Sequence, residues 1–204
     1  MRGVVAAVAL VICGLAVEPL SARVLGDATV AYSAERVLTV NGQSFPGRIF
    51  SIPGHQRHEQ TIGGFQQVAI FDLVEAHGYF ILPALMSYVD FRLSGAIAEL
   101  SAPDITGAPA GTETVGGITA AKYKVGKRAP DGTLIDGMIW LTAAGIPVRA
   151  EGTVTDGNGI RTAFSWQLSH IRMGVQDPAM FSAPVGLYRL PDTALPGFLG
   201  GQGG

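Results

Sequence analysis

The chain has 204 residues, a formal net charge of −2 at pH 7, 48% hydrophobic residues and 15% charged residues. This near-neutral balance, without a run of basic residues, argues against nucleic acid as a partner and against more than peripheral contact with a membrane. The single cysteine, Cys13, lies in an N-terminal apolar run, so the rest of the chain offers no thiol for a disulfide, a thiolate metal site or a nucleophile. A chain of this length can fold as one domain with a substantial core.

The first 22 residues have the features of a signal peptide. A basic residue precedes an apolar run over residues 3–16, and Ala22 is a small residue suited to a cleavage point. The run is short for a membrane span. Ile12 stands immediately before Cys13, where a lipid-attachment motif has a small residue. We therefore expect residues 1–22 to be cleaved during secretion and the mature protein to carry no lipid.

The first half of the remaining chain alternates apolar and polar residues between turn signals, the pattern of an antiparallel meander. The predicted strands cover residues 27–40, 43–52, 55–62, 65–73 and 79–82. Asn41-Gly42 is a strong two-residue hairpin signal. Pro46 predicts that its strand lies at an edge or a bulge, because proline cannot donate to the ladder. Arg36 falls on the apolar face of the first strand.

Residues 83–100 break this alternation. Apolar residues recur there at spacings of three and four behind Pro83, which predicts one or two short helices. A strand through residues 87–91 is the competing interpretation, because tyrosine, valine and phenylalanine favour β-structure. A loop rich in proline, alanine and glycine is expected at residues 101–111.

The segment from residue 117 to 191 predicts a second meander of four strand-like runs. Its second run is apolar on both sides, so one side requires a second layer or an apolar ligand to cover it. The alternation changes phase at His170, which predicts a β-bulge. Residues 177–181 are expected to form one helical turn, and residues 192–204 a flexible tail.

No arrangement of residues points to catalysis, a metal or a cofactor. His55 and His58 would point to opposite faces of a strand, because their separation is odd. Asp72, Glu75 and His77 crowd one turn, where turn chemistry explains them equally well. Neither a G-x-S-x-G elbow nor a phosphate-cradling loop is present. We therefore predict that the protein is not an enzyme and has no catalytic residue, no metal site and no cofactor.

Large apolar side chains indicate function more clearly than the polar residues do, because aromatic rings and methionine suit an adaptable cavity that binds acyl chains. A plain packed core is the simpler interpretation of each of these residues taken singly. An arginine amid apolar strand residues must be paired or reach solvent, and Arg36 and Arg48 are such cases. The predicted ligand-binding residues are Arg48, Phe50, Phe80, Leu82, Met86, Met138, Trp140, Phe164 and Trp166.

Several short motifs together resemble the LolA/LolB-like superfamily of periplasmic lipoprotein carriers. They are Y-S-A-E-R with the N-G hairpin, G-Y-F-I-L-P, W-L-T-A-A-G-I-P-V-R and D-P-A-M-F-S-A-P-V-G-L-Y. The resemblance implies a mainly β fold: a curved, unclosed antiparallel half-barrel over residues 23–191, with short helices covering its concave face. Carriers of this type use an arginine near the cavity to regulate the helical lid, and Arg48 is the nearest candidate.

The sequence thus favours a periplasmic carrier or sensor of the cell envelope that binds a lipid or an acylated protein and takes part in its transport. The alternative is a non-catalytic envelope protein that binds a protein partner through exposed sheet edges. A hydrolase that depends on His58 or His77 ranks third.

Overall fold

The computed structural model of the protein describes residues 28–93, 105, 107–128 and 132–191. The predicted signal peptide and tail, residues 1–22 and 192–204, lie outside these ranges. Twelve strands account for most of the described chain. The first meander comprises β1 (Tyr32–Val40), β2 (Gln43–Ile52), β3 (His55–Ile62), β4 (Phe65–Asp72), β5 (His77–Leu82) and β6 (Ser87–Arg92). The second comprises β7 (Gly111–Val115), β8 (Ile118–Arg128), β9 (Leu134–Leu141), β10 (Pro147–Thr155) and β11 (Arg161–Met173), followed by β12 (Tyr188–Leu190).

All twelve strands belong to one sheet in the order β12-β6-β5-β4-β3-β2-β1-β11-β10-β9-β8-β7. The strand β1 therefore lies in the middle. One meander extends from it through β2 to β6, and the other ends on it through β11. Both meanders are antiparallel, whereas the short β12 pairs with β6 in parallel. The two end strands, β12 and β7, do not pair with each other, so the sheet is an unclosed half-barrel, as the sequence predicts.

Tight hairpins with two-residue turns set the register of both meanders. Asn41 and Gly42 have φ values of 48° and 83°, the left-handed pair that matches the twist of the flanking strands. The Gly63-Gly64 and Gly116-Gly117 turns have the same signs of φ. The expected bulge at His170 is also present: its φ is 50°, and the pairing of β1 with β11 shifts between Ser33 and Glu35.

The helices predicted for residues 83–100 are not what the described residues form. Only the 3-10 turn Pro83–Leu85 is helical there, and β6 follows it, so the strand interpretation is correct. The reason is the burial period of two, since Ser87, Val89 and Phe91 are buried and the residues between them are not. The remainder of the predicted helical segment, residues 94–100, lies outside the described ranges.

Within the described ranges the only other helical residues are the 3-10 turn Pro178–Phe181, so short helices that cover a concave face are not seen. No helix among these residues is long and apolar enough to cross a membrane.

Three apolar clusters hold the sheet. The first gathers where the residues before β1 meet the β9–β10 turn and includes Tyr32, Trp140 and Leu168. The second lies on β2, β4 and β5 beneath Phe181. The third surrounds Ile139 on β8 to β11. The Thr29 amide and hydroxyl both donate to the Ala144 carbonyl, at 3.3 and 3.0 Å, which ties the start of β1 to the far meander.

Candidate functional site

The register places the predicted ligand-binding residues on two faces of the sheet, because directly opposed residues on neighbouring strands point to the same side. We name these the Arg36 face and the Trp140 face. The Trp140 face carries Arg48, Phe50, Met138 and Trp140, and the Arg36 face carries Phe80, Leu82, Phe164 and Trp166. Met86 is exposed in the turn between β5 and β6. The nine predicted ligand-binding residues therefore divide into four on each face, with Met86 apart from both groups.

Phe50 and Arg48 lie in a packed region of the Trp140 face. Phe50 is buried in the second cluster, on which Phe181 packs from the chain segment after β11. Arg57 fastens this segment, because its Nη1 donates to the Met180 carbonyl at 3.1 Å. The guanidinium of Arg48 is exposed and stacks over the Phe50 ring at 4.9 Å. Burial beneath a fastened segment is typical of a core position.

Trp140 is enclosed by charged neighbours on the same face. The Lys122 ammonium and the Arg149 guanidinium lie over its ring at 4.8 and 4.6 Å. Its indole Nε1 donates to Glu113 at 2.9 Å, and Trp140 is only 1% exposed. The hydrogen bond from Lys122, and then the one from Trp140, lower the pKa of the exposed Glu113 carboxyl. Every polar atom of the indole therefore has a partner, and the half-buried Met138 packs beside this cluster.

The Arg36 face combines apolar side chains with a polar centre. Phe80 is 1% exposed, whereas Leu82, Phe164 and Trp166 are half-buried. Trp166 packs against the first and third clusters, and Phe164 against the third. The polar centre lies on the middle strands of the sheet, where β1, β2 and β3 run side by side.

Arg36 is the central residue of this polar group. Its Nη1 contacts His58 Nδ1 at 2.5 Å, and its Nη2 donates to Gln60 Oε1 at 2.9 Å. Both partners are on β3, so the side chain crosses the intervening strand. Gly47 stands opposite Arg36 on β2 and has no side chain in the way. A Cβ at Gly47 would lie 2.3 Å from the Glu59 carbonyl oxygen, so this position accepts only glycine without rearrangement.

His58 is held neutral in a defined tautomer. Arginine has no acceptor, so His58 Nδ1 must accept from Arg36 and the proton resides on Nε2. That Nε2 then donates to Gln56 Oε1 at 2.8 Å. Burial, and in second place the charge of Arg36, hold the pKa of His58 well below its usual value of 6.5. The ring also makes an edge contact with Phe71, at 5.3 Å between centroids.

The charge of Arg36 has no acidic partner among the described residues. Within the described ranges, no carboxylate forms an ion pair with the guanidinium, and its two hydrogen-bonding neighbours are both neutral. In the part of the chain that the structure describes, the buried Nε has no hydrogen-bond partner, and neither has the buried Oε1 of Gln67, which stands opposite Gln60 on β4. Burial lowers the pKa of Arg36 to about 10, so it remains charged at neutral pH.

The sequence marked Arg36 as an arginine on an apolar face, but it gave no sign of its partners. His58 and Gln60 are on a strand that does not neighbour β1, and only the sheet order with a glycine between them brings the three together. His55, as expected, lies on the opposite face from His58. It stands 3.8 Å from Asp72, and among the described residues no group of three possible ligands could hold a metal ion.

The architecture defined by these features is an open antiparallel half-barrel with a half-buried cation at its centre that no described carboxylate balances. No family model matches the chain, and no curated protein sequence matches it. Solved structures do resemble it. An uncharacterized conserved protein from Thermus thermophilus aligns with a TM-score of 0.53 and 13% identity, over 82% of this chain and 94% of that one. At this identity the likeness shows the fold alone.

Members of the LolA superfamily, which the sequence motifs resemble, are also among the similar structures. A LolA superfamily protein from Nitrosomonas europaea aligns with a TM-score of 0.41 and 8% identity, over 78% of this chain and 93% of that chain. A structure of the Pseudomonas aeruginosa MucA/MucB complex aligns with a TM-score of 0.45 and 15% identity, over 79% of this chain and 58% of the matched chain.

Proposed function

We propose that this protein is a periplasmic carrier or sensor that binds an acyl chain along the Arg36 face of its half-barrel. The observation that carries the proposal is the row of half-buried apolar side chains beside the polar centre. Leu38 stands opposite Trp166, and Val40 stands opposite Phe164, on the two strands that join the meanders. All four are half-buried, although each is large and apolar.

Small residues flank this row on β10. Ala150 stands opposite Trp166 on β10, and Gly152 stands opposite Phe164. A Cβ at Gly152 would lie 2.4 Å from the Asp136 carbonyl oxygen, so the β9 backbone fills that position, and a flexible chain would lie over the half-buried rings themselves. Binding would be driven by removal of apolar surface from water, at about 25 cal/mol per Å². The resemblance of the sequence motifs to lipoprotein carriers agrees with an acyl chain as the ligand.

The test is native mass spectrometry of the full chain purified from an envelope fraction, with organic extraction of the bound material. We expect a mass increment that corresponds to a lipid, a fatty acid or an acylated protein. An unliganded mass that stays unchanged after incubation with envelope lipids would contradict the proposal. Replacement of Trp166 by alanine should weaken binding, whereas the same change at the exposed Val185 should not.

A second candidate function is binding of a protein partner at the β7 edge. Among the described strands β7 is at the end of the sheet and pairs with β8 alone, and Gly111 to Thr114 are all exposed. An extended peptide could add to such an edge by backbone hydrogen bonds. Co-purification of a protein without lipid, lost on replacing Thr112 by proline, would favour this function over the first.

A further inference from the structure

We propose that the cargo of the Arg36 face carries a single anionic head group, a carboxylate or a phosphate, that binds the guanidinium of Arg36. This inference rests on the proposed function, and it specifies the chemical class of the ligand. The observation that carries it is a half-buried charge whose contacts among the described residues are neutral.

The acids nearest to Arg36 in the sequence and across the sheet cannot balance it. Glu35 and Glu59 are on the other face by register. Each is already engaged there, Glu35 with His170 at 2.9 Å and Glu59 with Arg57 at 2.7 Å. A buried charge is costly unless it is paired and hydrogen-bonded. The described residues therefore leave a site that an anion from outside the protein would complete.

The free donors of Arg36 suit such an anion. A guanidinium has five N–H groups, of which contacts with His58 and Gln60 use two. Nε is buried and has no partner among the described residues, so at least one donor remains available to a ligand. Carboxylates and phosphates match the planar fork of arginine, and such charge-assisted bonds are among the strong ones. The partners on β3 orient the guanidinium, since they hold its two Nη atoms.

The position of Arg36 joins this anion site to the apolar row. Arg36, Leu38 and Val40 follow one another on the same face of β1. At about 3.4 Å per residue, the row extends about 14 Å from the guanidinium-bearing position. A ligand with an anionic head at Arg36 could therefore lay its hydrocarbon tail along Leu38, Trp166, Val40 and Phe164. An amphiphile with one charged end fits this order of side chains.

The experiment is a titration of the delipidated full chain at pH 8 with four probes of defined chemistry. Palmitate and hexadecyl phosphate carry the anionic head, hexadecanol has the same chain length without charge, and acetate and inorganic phosphate together serve as the headgroup-only probe. We expect the two anionic amphiphiles to bind about 10- to 100-fold more tightly than hexadecanol. In Arg36→Met this preference should disappear, and in Arg48→Met, on the other face, it should persist.

Each alternative outcome is decisive. Equal affinity for palmitate and hexadecanol would overturn the headgroup inference and leave an acyl-chain carrier. Failure of every sixteen-carbon probe to bind would overturn the proposed function and the inference with it. Binding of acetate or phosphate as tightly as the amphiphiles would retain Arg36 as an anion ligand but overturn an amphiphilic cargo.

A second measurement on the unmodified chain keeps the inference testable if Arg36→Met does not fold. In ¹⁵N NMR of arginine side chains, the Arg36 Nε–Hε signal should shift on addition of palmitate and not on addition of hexadecanol. The signal of Arg57, whose Nε is already bonded to Glu59, serves as the internal control. An Arg36 signal that does not move at saturation with palmitate would refute the proposal.

Discussion

The electrostatics of His58 predict that the stability of the protein falls below pH 6.5 and that this loss depends on one residue. In the folded protein His58 stays neutral, because burial and Arg36 both oppose its protonation. In the unfolded chain it takes up a proton with a pKa of about 6.5. The unfolded state thus binds more protons below that pH, and the free energy of unfolding decreases as the pH falls.

The magnitude of this loss of stability follows from the one proton that His58 takes up on unfolding. Between pH 6.5 and pH 5.0 the difference in bound protons approaches one, and each pH unit then changes the free energy of unfolding by about 1.4 kcal/mol. We therefore expect a loss of about 1.6 kcal/mol over this range that His58→Gln does not show. A glutamine retains an acceptor for Arg36 but cannot titrate.

The assay is urea unfolding of the wild-type protein and of His58→Gln at several pH values from 8.0 to 5.0. The other histidines are common to both proteins, so their contributions cancel in the difference between the two curves. His55→Gln is the matched control, because His55 lies on the opposite face of the same strand. If wild type and His58→Gln lose stability in parallel, His58 is not held neutral and the interpretation of the Arg36 centre is wrong.

Three further changes test the fold and the site. Gly47→Ala should lower the free energy of unfolding in urea by about 1–3 kcal/mol, because the new Cβ would lie 2.3 Å from the Glu59 carbonyl oxygen. Gly126→Ala is the control and should change the free energy of unfolding little, since the nearest atom to its Cβ would be 3.8 Å away. Phe181→Ala should cost about 3–5 kcal/mol by the same measurement, since the ring is buried in the second cluster, and an unchanged midpoint would refute its core role. Trp166→Ala should raise the Kd for palmitate about tenfold or more in calorimetry without a change in circular dichroism, and unaltered affinity would remove Trp166 from the site.

The turns and the strand alternation made most of the fold predictable. Asn41-Gly42 and the glycine pairs mark hairpins whose backbone requires positive φ. Asparagine and glycine are the residues that adopt positive φ most readily, so the residue types alone predict these turns. Pro46 is an instructive intermediate case. The strand β2 lies inside the sheet and not at its edge. Its pairing with β3 begins only at Gly47, so Pro46 itself has no neighbour on that side. Proline therefore occupies the part of β2 that needs no donor toward β3.

The site was less predictable, because periodicity assigns residues to faces of a strand but not to faces of the whole sheet. Trp140 and Trp166 have similar character in the sequence, yet the register puts them on opposite faces. Residues 83–92 illustrate a second limit. Spacings of three and four fitted a helix there as well as a strand, and pairing of β6 with β5 decided the outcome. Tertiary context overrides local preference in such short segments.

The chain topology places a half-buried cation, which no described carboxylate balances, at the centre of an open sheet. A half-barrel has two free edges, and a charge near either of them would reach water easily. The strand β1 has five strands beyond it on one side through β2 to β6, and five on the other through β11 to β7, before the terminal β12 is added. Arg36 lies near the middle of β1, so it is far from both edges and from both strand ends. The residue is half-buried, so water solvates its charge only in part, and two neutral partners on β3 hold the guanidinium. An anionic ligand could neutralise it there, two strands away from the seam at which β1 and β11 join the meanders.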